Sequence, residues 1–459
     1  MLMCNSEIKV WLFGFAAIVA TGFAQAQEQV RMPETQQSNQ AEINWQKVVS
    51  LQGNELIQYV DSLKLSGQAS LNFWKQLPLS HANHQVAHFY NSQAFPIYMR
   101  RYPRPQKDAI EFTPNMGTKI ISPIDGNTLM LPFTDYYPID SGIYGDAKKT
   151  YKIGFSTHGL EHPWLMNSAA SAQWQANELT NVELSIADAQ FDNQVQAKHI
   201  DTWIEQQYDG ILIWPMQEAP TGPPVDRAYK ANIPVVSIDR LVGSARVSKQ
   251  ITGNFAANGA QQAMYLVDRL YKELGTVKAN VVLVRKPLGS TADAMRTGHF
   301  LKVLSYFPEI NIIESVHNNS DREDSLQQVA KALVSHSIID VVFCTGAEQA
   351  MGAVKAIDDA NRWNSRAGGN KVIVLSNDEL HSSLDAIKEG KIAMAAPYTP
   401  FLASLGLRVL LKHIETGTGH KNITTPDLPM ITKQRMNIFG VDTLSAEDWL
   451  PYSYGSTNE

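Results

Sequence analysis

At 459 residues the chain is too long for one ordinary core, so two or three domains are expected. Its balance, 44% apolar and 18% charged, is that of a folded protein, and a formal net charge of -6 argues against DNA or RNA as a partner. The two cysteines, Cys4 near the amino terminus and Cys344 after the apolar run Val341-Val342-Phe343, offer no disulfide framework, so stability has to come from burial.

The chain opens with Lys9, an apolar run from Val10 to Ala20 and the small-residue end Ala24-Gln25-Ala26. This pattern predicts a secretory signal over residues 1–26: the run is too short to span a bilayer, and a small-x-small end suits the signal peptidase. No later stretch approaches about 18 consecutive apolar residues, so the mature protein is expected to be exported without insertion in a membrane. Residues 27–145 read as an extension. Its first part, to about Gln40, is polar and without period. Trp45, Val48, Val49, Leu56, Ile57, Val60 and Leu63 then keep helical spacing, and from Tyr98 to Tyr144 recurring proline and glycine predict loops and short strands.

From Tyr151 a regular alternation begins. Strands are predicted at Ile153–Ser156, Glu183–Asp188, Gly210–Trp214, Pro234–Ile238, Asn280–Val284, Ile312–Val316, Val341–Phe343, Lys371–Leu375 and Ile392–Ala395, with helices between nearly every pair. Alternation of this kind gives an α/β fold, with parallel sheets buried on both faces. The rhythm breaks near Val247 to Ala256 and then resumes. Two Rossmann-like lobes joined by a hinge are therefore expected, residues 151–252 with about 398–427 in the first and 253–397 with about 428–440 in the second. Their cleft is the natural ligand site. Asp239 and Arg240 close a buried strand there, an acceptor and a guanidinium fork able to grip adjacent hydroxyls; a surface ion pair is the plain alternative.

Several pieces together resemble the type I periplasmic binding proteins, especially the ribose-like sugar-binding group, over about Tyr151 to Ile438. These are Phe155-Ser156-Thr157 before His162-Pro163-Trp164, Phe191-Asp192-Asn193-Gln194, Ile233 to Arg240, Asp293 to Phe300, and Ala386 to Ile392. The resemblance implies hinge closure on a small polar, sugar-like solute delivered to the inner-membrane permease of an ABC importer. It implies a stacking ring at Trp164, polar contacts from Ser156 and His162, and the second-lobe arginine at Arg296; Asn254, just past the inferred crossing, is a further polar candidate. Trp214 would add a second ring or wall the hinge. Departures are also visible: Gly346-Ala347 where the family has Asn-Asp, Asn377 as the ligand contact where it has a carboxylate, and Pro397-Tyr398 near the last crossing. Thr345-Gly346-Ala347 and Met394-Ala395-Ala396 are similar to the periplasmic trimethylamine N-oxide sensor, and Leu384 to Gly390 resembles the periplasmic quorum-signal receptor. A partner of a membrane histidine kinase is thus the alternative.

Enzyme-like patterns are weak, and neither catalytic nor cofactor residues are assigned. His158-Gly159-Leu160-Glu161-His162 spells a zinc-peptidase motif, yet Gly159 and Pro163 predict a loop, where that chemistry needs a helix. His81, His84 and His88 have helical spacing and are read as a solvated face rather than a metal site. Neither G-x-S-x-G nor the phosphate-cradling G-x-x-x-x-G-K occurs.

Overall fold

Nine apolar runs separated by amphipathic segments become nine strands separated by helices. A computed structural model of the protein describes residues 43–50, 59, 62–63, 119–121, 128–130, 149–449 apart from 180, 254, 306, 399, 401, 418–421, 425–427 and 439–440, and residue 454. The segment predicted as a signal, the histidine trio and Asn254 lie outside the described residues.

In the extension, helix α1 (Trp45–Ser50) is described, with strands β1 (Lys119–Ile121) and β2 (Thr128–Met130) forming an antiparallel hairpin. Val48 of α1 is fully buried among Leu266, Leu270 and Leu304, so this part of the extension is packed onto the second lobe.

The first lobe is a six-stranded sheet built from β3 (Tyr151–Thr157), β4 (Val182–Asp188), β5 (Gly210–Ile213), β6 (Val235–Asp239), β7 (Lys249–Thr252) and β13 (Asn422–Thr424). The order is β13-β7-β6-β5-β3-β4, and every pairing is parallel. The second sheet contains β8 (Ala279–Arg285), β9 (Ile310–His317), β10 (Val341–Cys344), β11 (Ile373–Asn377), β12 (Met394–Ala396), β14 (Ile431–Thr432) and β17 (Leu444–Ser445). Its order is β17-β14-β12-β11-β10-β8-β9, parallel except where β14 meets β12. Each lobe thus repeats one winding. The strand order reverses beside β3 in the first lobe and beside β8 in the second, which opens a crevice beyond the carboxyl ends of the strands.

Burial explains why these runs became strands. All residues of β5, β6, β10, β11 and β12 are buried, as expected for strands covered by helices on both faces. Helix starts follow their caps: the side chain of Asp192 accepts from the amides of Gln194 and Val195, and Ser290 accepts from Asp293 N. Helix α10 (Leu402–Thr416) returns to the first lobe, where its Gly406 lies against Leu212 and Ile238; a Cβ at that position would stand 2.7 Å from both side chains.

The chain crosses between lobes after β7, after β12 and again after β13. The first two crossings touch. A Cβ on Gly253 would lie 2.3 Å from the Tyr398 ring, so only glycine lets these segments pack side by side.

Candidate ligand-binding site

Between the lobes lies an inner chamber of about 80 Å³, continuous in its lining with an outer basin of about 730 Å³. His162, Phe191, Met216, Asn319 and Ser320 line both.

The first-lobe jaw is mostly aromatic. Pro163 starts helix α2 (Pro163–Leu179), with His162 just outside it; His162 Nδ1 accepts the amide of Trp164 at 3.1 Å. Trp164 follows at the chamber wall, its ring stacked on Tyr398 at 5.3 Å between centroids and edge-on to Trp214 at 4.6 Å. Its indole N–H donates to Tyr398 O at 2.8 Å, which ties the jaw to the hinge crossing. His158 completes the wall, edge-on to Trp214 at 4.6 Å and to Phe191 at 5.7 Å.

Trp214 is held by a clamp that starts from a buried glutamine. Gln196 Nε2 donates to Trp214 O at 2.8 Å and its Oε1 accepts Met216 N at 3.0 Å, so both ends of one amide fix the loop after β5. Trp214 Nε1 then donates to Asp239 Oδ2 at 2.7 Å. Asp239 sits at φ 66°, a left-handed conformation that costs a non-glycine residue energy and is found preferentially at ligand sites. Arg240 Nε lies 3.5 Å from Asp239 Oδ2, and its Nη1 donates to Met216 O.

The second-lobe jaw is charged. Arg296, fully buried on helix α6 (Thr291–Leu304), donates from Nη1 to Thr345 O and from Nη2 to Asp378 Oδ1, each at 2.7 Å. Its guanidinium carbon also lies 5.5 Å from the centre of the Tyr398 ring. Asp378 follows β11 at φ 71°, the counterpart of Asp239 at the end of β6. Lys286 follows β8, and its backbone is fixed from three sides. Its N–H lies 3.0 Å from Thr345 Oγ1 and 3.2 Å from Asp293 Oδ1, and its carbonyl is 2.7 Å from His317 Nδ1.

Burial sets the protonation of these groups. It holds His162 down at about 4, helped by the Lys286 charge, and pushes His158 well below the usual histidine range, helped by Arg240. Both rings are therefore neutral at pH 7. Burial also pulls Lys286 down to about 8 against the opposing pull of Asp378, and lifts Glu379, beside the hinge, to about 8.

Of the residues singled out in the sequence, His162, Trp164, Trp214, Asp239, Arg240 and Arg296 line one chamber. Ser156 does not. Its side chain turns to the opposite face of β3, where Oγ lies 3.0 Å from His199 Nδ1. Asn377 does not either: it points beneath the strand ends, donating to Cys344 O at 2.9 Å and accepting from Gln262 at 3.0 Å. The carboxylate assigned as missing there is supplied one residue later by Asp378. Lys286, Tyr398 and His158 are further lining residues not picked out as ligand contacts in the sequence. The segment from His158 to His162 is not helical, which removes the geometry the zinc-peptidase motif requires.

A model of the periplasmic binding protein domain matches residues 153–418, more than half of the chain. The chain belongs to this family. Within it, the protein falls in the type I, ribose-like group. This periplasmic binding protein is 25% identical over 255 residues to the ribose import binding protein of Bacillus subtilis, covering 56% of this chain and 78% of the relative. It is 26% identical over 275 residues to the galactofuranose-binding protein of Escherichia coli, covering 59% of this chain and 85% of that one. A solved structure from Mycobacterium smegmatis, in complex with beta-D-fucofuranose, superposes with a TM-score of 0.55 at 25% identity, over 61% of this chain and 90% of the other.

Proposed function

We propose that this periplasmic binding protein is exported and captures a small polar, sugar-like solute by closing its two lobes on it, and that it passes the solute to an ABC importer rather than transforming it. The observation that carries this is the opposition of two acid–guanidinium pairs across one chamber: Asp239 with Arg240 on one jaw, Asp378 with Arg296 on the other. Carboxylates accept and guanidinium groups donate, so each pair can bind vicinal hydroxyls, while Trp164 and Trp214 offer apolar surface to the C–H face of a ring. Contacts on both jaws favour the closed form, because only that form makes them all. The names of the relatives, ribose import and galactofuranose binding, support the same ligand class. The limbs of each lobe are taken as residues 151–252 with 398–427 and 253–397 with 428–440.

Thermal unfolding against a panel of D-ribose, L-arabinose, D-xylose, D-allose, myo-inositol and trimethylamine N-oxide tests the reading. A binder of the native state raises the melting temperature with concentration. Asp239→Ala and Arg240→Ala are expected to abolish that rise, and unchanged shifts in both variants would place binding elsewhere. Uptake of the labelled binder in a deletion strain then separates transport from sensing, since loss of a pure sensor leaves uptake of its own ligand intact.

A further inference from the structure

The chamber has more positive charge than its carboxylates balance. Arg240, Lys286 and Arg296 face Asp239 and Asp378, and the two histidines in the wall are neutral at pH 7. Each arginine has its own carboxylate, Arg240 with Asp239 at 3.5 Å and Arg296 with Asp378 at 2.7 Å. The nearby carboxylate of Asp293 is taken by Arg285 at 2.7 Å. Lys286 is the cation left over. Its Nζ lies 3.4 Å from Ser320 Oγ, and no carboxylate among the described residues comes within ion-pair distance. A partly buried ammonium without a counter-ion is costly, and nothing about the local backbone forces it there, because the bonds that fix residue 286 are made by its peptide group.

We propose that the solute is a monoanionic sugar derivative, a polyhydroxy carboxylate of the aldonate or uronate class, whose carboxylate pairs with Lys286 while its hydroxyls are held by the two acid–guanidinium pairs. This rests on the binding reading above and narrows it. One negative charge balances the single excess cation, whereas a phosphate ester would bring more. The depressed lysine titration agrees with a partly buried cation short of partners. The outer basin has the opposite character: Glu161, Asp321, Asp324 and Glu348 line it with Arg322 as their only basic companion among its lining residues. An anion therefore enters against the field, and added salt should speed its association by screening the rim.

The test is thermal shift and calorimetry of the full chain with D-galacturonate, D-gluconate, D-galactose and D-galactose 1-phosphate. The expected result is binding of a sugar acid at least tenfold tighter than of the matching neutral sugar, and an association rate that rises with salt. In Lys286→Met this preference should disappear or invert while the hydroxyl contacts persist; Lys286→Gln serves if the first variant folds poorly. Tighter binding of neutral sugars, or of the phosphate ester, overturns the charge assignment and leaves sugar binding standing. No stabilisation by any member of either panel overturns the sugar reading and this inference with it.

Discussion

The two lobes share a winding and share a device, yet they do different work. In each, a carboxylate held at positive φ stands at the end of the strand second from the switch point: Asp239 is the last residue of β6 in the first lobe and Asp378 the first after β11 in the second. The surroundings then diverge. Asp239 is steadied by an indole N–H and sits among rings, so its jaw offers flat apolar surface with one polar corner. Asp378 is steadied by a buried guanidinium and sits near an ammonium, so its jaw offers charge. One repeated fold thus yields a stacking wall and an electrostatic wall, and the difference lies in the residues just beyond the strand ends rather than in the sheets.

The comparison can be broken most severely on the charged side. Arg296→Met leaves Asp378 buried without its partner, and the loss in unfolding free energy should be about 3–5 kcal/mol by denaturant titration. A smaller loss than that for Trp214→Phe is expected, because the Asp239 carboxylate loses one charge-assisted hydrogen bond, about 1.5–3 kcal/mol, while the ring survives. If Trp214→Phe proved the more damaging of the two, the division between an electrostatic and a stacking jaw would be wrong.

Changes at the hinge probe both jaws together. Gly253→Ala drives a methyl into the Tyr398 ring, an overpacking cost of about 1–3 kcal/mol, and should weaken binding of the solute that stabilises the native protein even though residue 253 is not part of the chamber lining. Wild-type affinity in this variant would mean that the crossings do not set the closed geometry.

The smallest effect is a pH dependence. His162 binds its proton near 6.5 when unfolded but only at about 4 in the folded protein. Between those values the unfolded state holds more protons, so stability falls as pH drops through the window, by less than about 1 kcal/mol per pH unit for a ring that is only partly buried. His162→Gln should therefore gain on the wild type as pH is lowered from 6.5 to 4 in parallel melting curves. A constant difference between the two proteins would contradict the assignment of a neutral ring.

The sheets were legible in the sequence because fully buried strands leave continuous apolar runs. Each of the nine predicted strands overlaps an observed one. In the sequence the strand Lys249–Thr252 looks like an interruption, since four residues with a lysine and a glutamine carry no readable period; its identity comes from pairing with both β6 and β13. At the site, side-chain direction was the missing quantity. Along β3, Gly154 and Ser156 face helix α3 (Asn193–Glu205), where Trp203 and His199 await them, so a polar residue in the right stretch pointed the wrong way. Asn377 and Asp378 differ by one position, and the left-handed turn at Asp378 goes with the carboxylate that reaches the chamber. The parallel with Asp239, also the acid that closes a buried apolar strand, was a signal available in the sequence. Lys286 had a weaker one: a second basic residue directly after the apolar run of β8.

Calorimetric titration of the strongest stabiliser from the two panels into the wild type and into one variant per jaw, Asp239→Ala and Arg296→Met, tests the two-jaw trap most directly. The account predicts that either variant, once shown to be folded at the working temperature, loses binding by at least a hundredfold. Near wild-type affinity in either one would contradict it, because a solute held by a single jaw gives the lobes no reason to close.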